Sequence, residues 1–90
     1  MGGIIFPIMH LNGDRPETLT QALHEAYVAL GKAQKALTET APNARNYYPQ
    51  PGLFPQAVLQ YQRRMEILDT LRKELLTEYN GIQAQAPTGA

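Results

Sequence analysis

The chain contains no cysteine and no tryptophan among its 90 residues. Without thiols there is no disulfide staple, no thiolate nucleophile and no thiolate metal site, so stability must come from packing, within the chain or with other chains. Aromatics are scarce, five Tyr and two Phe. Any core therefore rests on Leu, Ile, Val, Met and Ala, which suits helix packed on helix. Neither sign of charge is in excess, since 8 basic and 8 acidic residues give a formal net charge of zero. That balance argues against a general attraction to nucleic acid or to an acidic membrane. The longest apolar run, Ile4 to Met9, is far too short to span a bilayer. It also lacks the basic flank and small-residue cleavage site of a secretory signal, so a cytoplasmic location is expected. No P-loop, dinucleotide-binding, nucleophile-elbow or zinc-finger spacing occurs, and His10 and His24 belong to no metal-ligand pattern. No catalytic residue, metal or cofactor is expected.

What the sequence does have is helical periodicity. Leu19, Leu23, Ala26, Leu30, Ala33 and Leu37 recur at alternating spacings of four and three, as in a coiled coil, and Ala22, Ala26, Ala29, Ala33 and Ala36 form a second, small-residue stripe beside them. The first stripe predicts a helix over residues 16–40, and the alanine stripe predicts a close approach by a partner helix. Asp14 and Glu17 have the spacing of a capping box, and Pro16 suits a first helical turn. Gly31 in the middle reads as a tolerated weakness of roughly 1 kcal/mol. A second helix over residues 55–79 follows from Phe54, Val58, Tyr61, Met65, Leu68, Leu71, Leu75 and Tyr79, widened by Ile67 and Leu76. Asp69 and Lys73 stand in the favourable acid-before-base order, and Asn80-Gly81 reads as a stop.

These elements predict an all-α fold: an antiparallel two-helix hairpin over residues 14–82, with a loop at 41–54, an extended apolar arm at 1–13 and a flexible tail at 83–90. Two helices of this length leave apolar residues that cannot all face one seam, so a bundle completed by oligomerisation, or by docking on a larger assembly, is the expected answer. Within the arm, Ile4, Ile5, Phe6 and Ile8 are too apolar to stay in water, and residues 4–8 are expected on a neighbouring subunit or a host protein. Tyr47 and Tyr48, flanked by prolines in a loop longer than most, are the second candidate protein-interaction site.

Two other chemistries have a foothold. Arg63, Arg64, Arg72 and Lys73 could present a basic patch for a nucleic-acid-associated regulator, although Glu66, Asp69 and Glu74 interleave with them and oppose the field. The stretch Ile67 to Leu75 resembles the opening of the all-helical chorismate mutases, which would imply a small helical enzyme with several cations converging on a dicarboxylate. Here it falls in the last helix, and an amphipathic helix of any function shows the same pattern.

Residues Met9-His10-Leu11-Asn12-Gly13, then Glu17-Thr18-Leu19, and later Ala41 to Pro49 (APNARNYYP), resemble small helical proteins common in prophage and bacteriophage gene clusters. The similarity covers roughly residues 9–79 and rests on turn and loop signals, so it carries over no catalytic residue. It implies a phage-related assembly or virion component, a non-enzymatic structural or interaction protein.

Overall fold

The computed structural model describes residues 3–85. The described chain is all-helical. Helix α1 spans Pro16–Leu37 and α2 spans Leu53–Gln83, with short 3-10 helices at Thr38–Thr40 and Ala44–Tyr47 between them. The long helices fold back on each other as an antiparallel hairpin, elongated to 65 × 28 × 21 Å. Its radius of gyration of 19.1 Å compares with roughly 12 Å for a compact domain of this length.

The helix ends depart from the sequence reading in identifiable ways. At the start of α1 the cap position is Arg15 in extended geometry, with no side-chain cap hydrogen bond, so the capping box of Asp14 and Glu17 does not form. Pro16, with φ fixed for a first turn and no N–H to satisfy, begins the helix instead. The far end of α1 tightens into the 3-10 turn Thr38–Thr40 and stops before Pro42, as the proline requires. Helix α2 starts two residues earlier than expected, at Leu53, which leaves Pro55 inside the first turn. It also runs through Asn80-Gly81 to Gln83, beyond the expected stop and into the expected tail, and Ala84 and Gln85 follow as a turn; tail residues 86–90 lie outside the described residues.

Gly81 is helical because the position is needed for packing rather than for a turn. A Cβ there would come within 2.7 Å of the Phe6 ring, so only glycine lets the arm lie this close. The arm is fixed further by Gln85, whose Nε2 donates to the Pro7 carbonyl at 2.9 Å while its Oε1 accepts from the Met9 amide at 3.1 Å. The arm then turns at His10–Gly13, closed by the Gly13 amide on the His10 carbonyl.

The seam between the helices has a regular pattern. A seam series runs on α1 through Pro16, Thr20, Leu23, Tyr27, Leu30, Gln34 and Leu37, and on α2 through Phe54, Val58, Tyr61, Met65, Leu68, Arg72, Leu75, Tyr79 and Ile82, all buried or half-buried; Leu19, Gly31, Ala57, Asp69, Glu78 and Gly81 are half-buried beside it. Both series alternate four and three without a break, the spacing of a coiled-coil seam. The expected stripes share most of these positions but slip by one residue at Leu19, Ala26, Ala33 and Leu71, where the seam uses Thr20, Tyr27, Gln34 and Arg72. Ala22, Ala26, Ala29, Ala33 and Ala36 are all exposed, so the alanine stripe is not the close-packed face it was expected to be.

Candidate functional site

The polar slip in the seam is chemically complete. The Arg72 side chain crosses from α2 to α1, where its Nη1 donates to Gln34 Oε1 at 3.1 Å and its Nε points at the Tyr27 carbonyl at 3.4 Å. Its guanidinium carbon lies 4.2 Å from the centre of the Tyr27 ring, a cation–π contact. Gly31 makes this possible. It follows Tyr27 by one helical turn, where a larger side chain would cover the Tyr27 carbonyl, and a Cβ there would sit 2.9 Å from the Arg72 guanidinium. Gly31 is thus a slot for Arg72 rather than a tolerated weakness. Beside this cluster the Lys73 ammonium holds the Asp69 carboxylate at 2.9 Å. That hydrogen bond, with the positive charges of Lys73 and Arg72, lowers the Asp69 pKa, and Asp69 in turn raises that of Lys73.

This geometry disperses the expected basic patch. Arg72 is committed to the seam and Lys73 to Asp69. Arg63 and Arg64 are exposed but, as consecutive helical residues, point about 100° apart. Nor do the described residues gather three or more His, Cys, Asp or Glu side chains in a metal-holding group, and no described helix is long and apolar enough to cross a membrane.

The apolar surface is extensive. Ile82 is the one fully buried hydrophobic side chain among the described residues, and Thr20 the one buried polar residue. In the arm, Ile4 and Phe6 face inward, while Ile5, Ile8 and Leu11 are 88%, 71% and 102% exposed. At the loop end, Tyr47 packs tilted against Phe54 with ring centres 6.0 Å apart, whereas Tyr48 stays 70% exposed. Of the arm and loop candidates, then, Ile4, Phe6 and Tyr47 are already used by the chain itself, and Ile5, Ile8 and Tyr48 face solvent.

Along the hairpin the open apolar surface falls on two shoulders. On one side, Leu23, Tyr27, Val28, Leu75, Leu76 and Tyr79 line a groove of about 250 Å³ between the helices. On the other, Ile67 and Leu71 stand 57% and 40% exposed on α2, in a shallow depression bordered by Arg63, Glu66, Thr70 and Glu74. Leu76 and Ile67 were legible as widening the helix face. The Tyr27–Gln34–Arg72 cluster was not, although the four-and-three spacing through Leu23, Leu30 and Leu37 points to positions 27 and 34 as readily as to 26 and 33.

No family model, no curated protein and no solved structure matches the chain.

Proposed function

We propose that this protein is a non-enzymatic interaction module, a helical hairpin that completes its bundle by self-association and serves as a component of a larger assembly. The observation that carries this reading is the thin core: two long amphipathic helices with one fully buried hydrophobic side chain, Ile82, among the described residues. The chain keeps 7106 Å² accessible, whereas a compact folded protein of its mass exposes roughly 5,200 Å². That surface includes the exposed large apolar side chains Ile5, Ile8, Leu11, Leu59 and Ile67, and exposed apolar patches mark interaction sites. The turn and loop signals of residues 9–79 that resemble small phage-cluster proteins lead us to propose an assembly or virion role, in the cytoplasm or in the particle. Light scattering over a wide concentration range tests the reading. A molar mass that climbs from the 10.0 kDa of one chain to a defined multiple is expected, and a monomer at every concentration overturns it.

A further inference from the structure

We infer that the exposed shoulder of α2 is a self-complementary dimer interface. A second copy of this chain lies antiparallel along it, Ile67 of each copy meeting Leu71 of the other, and Arg64 of each meeting Glu74 of the other. The inference rests on the self-association reading above and adds the surface, the symmetry and the pairs.

Beside its seam, α2 carries a second unbroken four-and-three series: Gln60, Arg64, Ile67, Leu71, Glu74 and Glu78. At about 100° per residue it runs roughly a quarter-turn around the helix from the seam. All six are exposed except Glu78, which is half-buried. The series is symmetric about position 69, since Ile67 and Leu71, Arg64 and Glu74, and Gln60 and Glu78 are equidistant from it. A two-fold axis crossing α2 at that level brings each residue to its mate on the other copy. Apolar then meets apolar, cation meets anion, and amide meets carboxylate. A two-fold contact requires just such a surface, because residue i touches j while j touches i.

Charge complementarity also excludes the alternatives. In a parallel pairing Arg64 would face Arg64 and Glu74 would face Glu74, an arrangement that repels. Moving the axis by one step of the series either way sets Arg64 against Ile67, or Leu71 against Glu74. Only the register centred on position 69 sets apolar against apolar and cation against anion.

The test uses the full chain with charge reversals at the paired positions, Arg64→Glu and Glu74→Lys, both on solvent-facing sites of α2. Each variant alone places like charges opposite each other at two symmetric points. Each should dimerise about 10-fold more weakly than the parent in sedimentation or light scattering, given tenths of a kcal/mol to about 1 kcal/mol per exposed pair. Mixing the two variants re-creates both attractions across the interface and should restore a heterodimer of near-parental affinity. Because the chain has no cysteine, Ile67→Cys mixed with Leu71→Cys gives an independent readout. Under oxidation the mixture should cross-link in higher yield than either variant alone. A parent that associates while the charge variants behave like it, a mixture that recovers nothing, or cross-linking no better in the mixture overturns this interface and leaves the self-association reading standing. A monomeric parent overturns both.

Discussion

Replacing Gly31 with alanine should destabilise the protein, against the ordinary rule for a mid-helix glycine. Alanine in a helix interior is normally favoured by about 1 kcal/mol. Here the new Cβ would lie 2.9 Å from Nη2 and 3.2 Å from the guanidinium carbon of Arg72. The guanidinium ends a flexible side chain and can move, so the cost is not the clash itself. It is the loss of what the guanidinium holds: the bond to Gln34 at 3.1 Å and the seat on the Tyr27 ring at 4.2 Å. A hydrogen bond from a charged donor contributes about 1.5 kcal/mol, and a partly exposed cation–π contact about 0.5–1 kcal/mol. The loss of about 2 kcal/mol outweighs the propensity gain, and Gly31→Ala comes out about 1 kcal/mol less stable. In an Arg72→Met background nothing remains to displace, so the same substitution should stabilise by about 1 kcal/mol. The sign reversal amounts to a coupling of about 2 kcal/mol, well above the scatter of independent sites. Urea denaturation followed by far-UV circular dichroism, at one fixed protein concentration because the mass-action term of an oligomer must be held constant, measures all four corners of the cycle. Equal effects of Gly31→Ala in both backgrounds would refute the slot.

Ile82→Ala should cost about 2–5 kcal/mol because the side chain is fully buried, while Leu68→Ala, at a less completely buried seam position, should cost less in the same denaturation experiment. Gly81→Ala should push the Phe6 ring, 2.7 Å from the new Cβ, off α2; hydrogen exchange should then show the Met9 amide, now bonded to Gln85, losing its protection while α2 keeps its own. The Asp69–Lys73 pair predicts a flat stability profile near neutrality with a shoulder at each end. The Asp69 pKa is lowered from 3.8, so its contribution is present above that value and fades as pH falls through the depressed folded pKa. The Lys73 pKa is raised from 10.5, so its contribution is present below that value and fades as pH rises through the elevated one. Asp69→Asn should remove both shoulders from a thermal-melt series against pH, and a profile unchanged by it would show that the pair contributes nothing measurable.

The candidate interaction surface was only partly legible in the sequence. Ile5, Ile8 and Tyr48 are exposed as a partner-binding role needs, but Phe6 and Tyr47 found places on the chain itself. The arm lies against α2 because Gly81, read as a helix stop, leaves a flat spot for the Phe6 ring. Of the four cations, Arg72 reads in sequence like any surface arginine. Its place in the seam depends on Tyr27 and Gln34, 45 and 38 residues away, and a local pattern carries no information about such partners.

By itself the sequence determined that this chain is helical, that it has two long helices broken by the proline-rich loop, and that the loop turns them antiparallel. Those outcomes follow from backbone chemistry acting over a few residues: periodic apolar positions, alanine propensity, and proline's missing N–H. Only the tertiary structure decided which residue of each near-equivalent pair enters the seam. Positions 26 and 27, 33 and 34, and 71 and 72 differ by about 100° of rotation about the helix axis. An apolarity count selects Ala26, Ala33 and Leu71. Packing selects Tyr27, Gln34 and Arg72, because together they fill more of the inter-helix space and satisfy one another's polar groups across it. That choice turns Leu71 outward beside Ile67 and so leaves the apolar shoulder of α2 open.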